Sequence, residues 1–153
     1  MSASSIPAVI DALVSVLSAR AALQAPDVLI SDGTPSRALA QTRLIQIGGH
    51  GEPTVTGDQH PAELGGMRRE EDYTVRLYCS AETGGAVQKT SRDQAFALLA
   101  EVENALRTDA TLGAVVRYAE ISGGITATQT SPDEAAAGRW CEVAFDVHVT
   151  NRI

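Results

Sequence analysis

The chain has 153 residues, of which 44% are hydrophobic, and this size and composition predict one compact domain with a single continuous core. Its 19 acidic residues outnumber its 12 lysines and arginines, so the formal net charge of −7 at pH 7 should repel nucleic acid rather than attract it. Sequence-specific DNA binding is therefore disfavoured.

The opening residues lack the pattern of a secretion signal. No lysine or arginine precedes the apolar part of MSASSIPAVIDALVSVL, and Asp11 interrupts that part. No segment approaches the roughly 20 uninterrupted apolar residues that a membrane span requires. We therefore expect a soluble, unsecreted protein with no membrane partner. Cys79 and Cys141 are too few for a disulfide framework and are expected to fill small apolar spaces.

Two amphipathic helices are predicted. Apolar residues at spacings of three and four indicate a first helix from about Ser5 to about Ala22, and its stripe consists of Ile6, Val9, Ile10, Leu13 and Leu17. A second helix is predicted to begin at a capping box formed by Ser91 and Gln94. Its buried stripe is predicted to consist of Ala95, Leu98, Leu99, Val102 and Leu106.

Strand signals occupy most of the remaining chain. Short apolar runs at residues 27–33 and 42–49 predict two strands, and EDYTVRLYCSAETGG predicts a longer one by its clean alternation. Residues 115–121 and 125–130 flank Gly123-Gly124 and form either one bulged strand or a hairpin. The segment RWCEVAFDVHVTNRI alternates throughout. Two helices packed on one face of a largely antiparallel sheet, an α+β fold, would bury all of these apolar stripes.

The alternation divides the long strands into two faces. The apolar face is predicted to contain Tyr73, Val75, Leu77, Cys79, Cys141, Val143, Phe145, Val147 and Val149. The opposite face mixes aromatic and charged residues, a composition typical of interfaces, and its candidate contact residues are Arg76, Tyr78, Trp140, Glu142, Asp146 and His148. The alternative is that Trp140 caps the sheet edge and Arg76 is solvated.

The glycine-rich stretch 48–66 carries side chains of the types that bind metal ions, namely His50, Glu52, Asp58 and His60. The two histidines stand ten positions apart with no cysteine near them, unlike the tight paired spacing of structural zinc sites. Glycine-rich sequence also loses the most entropy on ordering. We predict a long flexible loop at 48–66 with no metal, rather than a ligand site.

Catalytic motifs are not evident. Cys141 and His148 could suggest a nucleophile and base with Asp146 as orienter, but their odd separation places the first two on opposite faces of an extended strand. The Gly-Gly pairs lack the companions of phosphate loops, nucleophile elbows and dinucleotide fingerprints. We expect no catalytic residue, no cofactor and no enzymatic activity.

The order of elements resembles that of the tail terminator (tail completion) proteins of long-tailed bacteriophages and related prophage particles. The likeness covers nearly the whole chain and lies in PAVIDALVSVLSA, REEDYTVRLYCSAETGG, RTDATLGAVVRYAEI and CEVAFDVHVTNRI. It implies a hexameric ring that caps the tail tube, stops its polymerisation and joins it to the head–tail connector protein, with DNA passing through the lumen. The implied location is the tail or neck of a virion assembled in the host bacterial cytoplasm.

Within this resemblance, stretch 48–66 would be an assembly element that becomes ordered when a neighbouring ring contacts it, or else a dispensable surface loop. Other neck proteins, such as a head completion protein, and the tail-tube subunit are alternatives within the same class. A small ligand-binding or enzymatic α+β domain is the alternative from a different class.

Overall fold

The structure is a computed structural model that describes residues 3–35, 41–130 and 138–153. Two helices pack on a six-stranded sheet and form an α+β fold, as the sequence predicts. In chain order the elements are α1 (Ile6–Ser18), a 3₁₀ turn (Ala21–Leu23), β1 (Val28–Asp32), β2 (Arg43–Ile47), β3 (Val55–Pro61), β4 (Arg69–Thr83), α2 (Gln88–Thr108), β5 (Tyr118–Gln129) and β6 (Arg139–Arg152). Neither helix in these ranges has the length and apolarity needed to cross a membrane.

The sheet has the order β1-β2-β4-β6-β5, and only the β1–β2 pair is parallel. Strands β2 and β3 share one edge of β4, where β2 pairs with its second half and β3 with its first half. The long β4–β6 pair therefore forms the centre of the sheet, with every other strand arranged around it.

Both helices cover the same face of the sheet. The apolar stripes of α1 and α2 join the inward residues of β2, β4 and β6 in one core, and Phe145, Val75 and Leu77 at its centre are fully buried. The predicted apolar faces of β4 and β6 are confirmed, since every residue named for them is buried. Burying a side chain of this size contributes about 1.5–3 kcal/mol, so the core supplies most of the driving force.

The predicted loop at 48–66 is wrong for residues 55–61, which form β3. Apart from Val55, this strand is exposed along its length, so it shows none of the apolar alternation that predicts a strand. Gly57 permits the pairing because a Cβ at this position would lie 2.3 Å from the Asp72 carbonyl oxygen. Residues 48–54 remain irregular but lie against the sheet.

The second helix begins three residues earlier than predicted, and the predicted capping box is wrong. Ser91 lies inside α2, is fully buried and donates a hydrogen bond to the carbonyl oxygen of Gln88 at 3.0 Å. The Gln88 amide donates to Ser91 Oγ and to the carbonyl oxygen of Trp140, both at 2.9 Å. A side-chain anchor to β6 therefore fixes the start of this helix.

Two further predictions are resolved by the structure. Helix α1 ends at Ser18, and a 3₁₀ turn occupies the residues expected to form its last turn. The segment around Gly123 is one strand rather than a hairpin, because β5 pairs with β6 on both sides of a register irregularity between Ser122 and Thr126. Gly123 has a φ of 74°, which favours glycine at this bulge.

Candidate assembly surface

The face of the sheet opposite the helices is called the open face here. All six predicted contact residues lie on it. Arg76 pairs across the strands with Asp146 and Tyr78 with Ala144, and the remaining three predicted residues are even-numbered positions of β6 on the same face. Asp58 and His60 of β3 are on the same side, opposite Asp72 and Glu70. The structure therefore brings the candidate strand residues together on one surface.

Ionisable side chains on the open face pair with one another within the chain. Arg76 Nε lies 2.8 Å from Asp146 Oδ1, and both side chains are partly buried. His148 Nε2 lies 2.7 Å from Asp72 Oδ1. Because these pairs stand between neighbouring strands, they support the β4–β6 register, although each contributes at most about 1 kcal/mol at this exposure.

Residues 48–54, the covering segment, fold over the middle of the open face. The His50 ring packs against the Tyr78 ring with 3.9 Å between centroids, and His50 Nε2 lies 2.7 Å from Glu142 Oε2. The buried Gln46 amide donates to the Gly48 carbonyl oxygen at 2.6 Å and lies 3.1 Å from His50 Nδ1. With its proton on Nε2, the imidazole donates to Glu142 Oε2 and accepts the Gln46 amide at Nδ1. The covering segment is thus tied to three strands.

Tyr78 is consequently not free to contact another molecule. Only 5% of its surface is exposed, and its hydroxyl donates to Glu52 Oε2 at 3.4 Å. Burial and the nearby Glu52 carboxylate raise the pKa of Tyr78, which keeps it neutral. Trp140 is partly buried at the end of the open face near the start of β6, where its neighbour across the strands is Glu82. Arg76 and Trp140 are therefore more accessible candidates than Tyr78.

A buried carboxylate on the helix side was not anticipated from the sequence. Glu71 is 1% exposed, and its Oε2 accepts the backbone N–H of Ser5 at 2.9 Å as well as the Ser5 hydroxyl. Its Oε1 accepts the Gln59 amide at 2.6 Å. Burial raises the pKa of Glu71, but hydrogen bonds from Ser4, Ser5 and Gln59 outweigh this effect and lower it. The cluster joins the start of α1 to the β3–β4 hairpin.

The cysteine and histidine considered for catalysis are not brought together. Cys141 is fully buried on the helix side of β6, whereas His148 lies on the open face. Burial raises the pKa of Cys141 and of Cys79, which disfavours the thiolate. Within the described ranges, no group of three or more histidine, cysteine, aspartate or glutamate side chains is placed to hold a metal ion.

The chain matches no family model and no curated protein. Among solved structures it is similar to a chain in the virion of a native gene transfer agent particle. The TM-score is 0.56 and the identity 18%, and the superposition covers 98% of this chain and 100% of that one. At this identity the likeness establishes a shared fold over the full length of both chains.

Proposed function

We propose that this chain is a structural protein of a phage-like virion, and within that class a tail terminator. The observation that carries the proposal is the end-to-end likeness to a virion chain, which covers 98% of this protein and all of the other. The likeness therefore extends over both chains from end to end. The sequence resemblance to tail terminators is the basis for proposing a position at the end of the tail tube.

In this role, six copies close into a ring that binds the last ring of the tail tube and stops its growth. The far side of the ring receives the head–tail connector protein, and DNA passes through the lumen. The net charge of −7 suits a channel wall along which DNA must slide without adhering. The protein would be assembled in the host cytoplasm and remain in the tail or neck of the virion.

The open face is the surface we propose for contact with another subunit. Arg76 is already paired with Asp146, so a partner would cover a neutralised pair rather than a lone charge, which lowers the desolvation cost. Trp140 supplies an accessible aromatic side chain at the end of the same face. Arginine and tryptophan are the residue types that dominate interface energetics when buried.

A tail-tube subunit or another neck protein would also be a structural protein of the virion, so assembly behaviour must separate these alternatives. Sedimentation velocity of the purified protein, alone and with its tail-tube protein, is the direct measurement. The terminator predicts a species near six times the subunit mass of 16.0 kDa and shorter tubes in the mixture. Filaments formed by this chain alone would instead identify a tube subunit, and a monomer in both samples would overturn the proposal.

The contact surface is tested by combining Arg76→Glu with Trp140→Ala. We expect this variant to fold but to lose assembly. The matched control is Lys89→Glu on α2, whose side chain is 70% exposed and belongs to the helix that covers the other face of the sheet. If the double variant assembles as well as the control, the open face is not the contact.

A further inference from the structure

The turn between β3 and β4 presents the most exposed apolar side chains of the described residues. This turn, residues 62–68, is called the hairpin tip. Leu64 is 107% exposed and Met67 is 85% exposed. Arg68 beside them is exposed and has no ion-pair partner within the described ranges. Exposed apolar side chains of this kind are typical of a surface that another protein covers, because covering them removes apolar area from water.

A cavity of about 440 Å³ lies between the end of α2 and the start of β5. Leu106, Tyr118 and Ile121 supply apolar walls. Glu103 and Arg107 form an ion pair at 2.6 Å, and Glu120 has no ion-pair partner among the described residues. The Tyr118 hydroxyl donates to Glu120 Oε2 at 3.2 Å, while 46% of Tyr118 is exposed. The cavity therefore combines apolar walls with one carboxylate, that of Glu120, that lacks an ion-pair partner.

The hairpin tip and this cavity lie at the same end of the sheet but on opposite edges. Across the strands, Asp72 pairs with Thr150, and Thr150 pairs with Tyr118. Asp72 also pairs with Asp58 of β3, so β3 and the start of β5 flank the sheet at one level. Two copies placed side by side with the same orientation would bring the hairpin tip of one close to the cavity of the next.

We propose that the hairpin tip of one copy seats Leu64 and Met67 in the cavity of the neighbouring copy, with Arg68 facing Glu120. The argument for a second copy as the occupant is charge complementarity, because copies with a net charge of −7 repel one another unless a basic group meets an acidic one at the contact. Two different patches on opposite edges make a head-to-tail contact, which can close a ring. The inference rests on the proposed ring and adds a lateral contact to the one proposed for the open face.

The first test is sedimentation of full-length variants. Leu64→Ser combined with Met67→Ser should weaken self-association at least about thirtyfold, as loss of central apolar anchors does. Arg68→Glu and Glu120→Arg should each weaken it about fivefold, and their combination should restore it. All four positions are exposed, so the variants should unfold at the wild-type midpoint, and Lys89→Glu is the control.

The second test is disulfide trapping between two separately purified proteins, one carrying Met67→Cys and the other Tyr118→Cys. The native thiols of Cys79 and Cys141 are fully buried, so the engineered pair should react selectively. We expect a mixed disulfide dimer under mild oxidation. A wild-type ring that survives all tip and Glu120 variants without cross-linking would overturn this contact but not the proposed function. A monomeric wild-type protein would overturn both.

Discussion

Replacing Glu71 with glutamine should destabilise the protein by about 1.5–3 kcal/mol at neutral pH. The carboxylate accepts the Ser5 donors on one oxygen and the Gln59 amide on the other. A glutamine side chain has one oxygen only, so its amide nitrogen must face a donor on one side. The magnitude follows because a hydrogen bond to a charged group contributes about 1.5–3 kcal/mol and at least one is lost.

The measurement is urea unfolding of the wild type and the Glu71→Gln variant across a pH series. The folded-state pKa of Glu71 is lowered from 4.5, so its contribution is fully present above that pH and is lost as pH falls through the folded value. The difference in unfolding free energy between the two proteins should therefore be constant near pH 7 and shrink below about pH 4.5.

Glu70→Gln is the matched control, since it removes the same charge one residue away. The Glu70 side chain is 42% exposed and lies 3.7 Å from Arg117, so its replacement should cost under about 1 kcal/mol with little dependence on pH. Equal losses in the two variants, or a Glu71→Gln difference that persists unchanged down to about pH 3, would refute the reasoning from the buried cluster.

Three further outcomes are expected. Phe145→Ala should lower the free energy of unfolding by about 3–5 kcal/mol, whereas Phe96→Ala, at a position 39% exposed, should lower it by less than about 1 kcal/mol; similar losses would contradict the core assignment. Gly57→Ala should make the β3–β4 hairpin sensitive to proteolysis, because the added Cβ would lie 2.3 Å from the β4 backbone. Gly84→Ala is the control and should leave the hairpin resistant, because open space surrounds that position. Calorimetric titration with zinc should give no stoichiometric heat, and a saturable isotherm abolished by alanine at both histidines of segment 48–66 would contradict this.

The central part of the fold could be predicted because its signal is local. Strands β4 and β6 are buried on one face only, so their side chains alternate between apolar and polar along the sequence. The same alternation correctly assigned Phe145 to the core and Arg76 to the open face. Apolar spacing likewise located both helices, although their ends differ by a few residues from the prediction.

The remaining features depend on contacts between distant residues. Strand β3 is polar and exposed, and only its pairing with β4 makes it a strand. The contact of His50 with Tyr78 and Glu142 spans 28 and 92 positions, so no spacing rule could relate these side chains. Glu71 stands in the acidic run REED, which is typical of a solvated surface, and its burial follows from the approach of α1.

The position of β6 sets the order in which the sheet can be completed during synthesis. Residues 139–152 are made after every other strand, yet they lie between β4 and β5. Until these residues leave the ribosome, β5 has no strand to pair with, and β4 lacks the longest of its strand pairings. Such non-local pairing is slow to form and leaves unpaired edges exposed in the meantime. The two opposite edges of the sheet therefore cannot be joined through its centre until β6 has been synthesised.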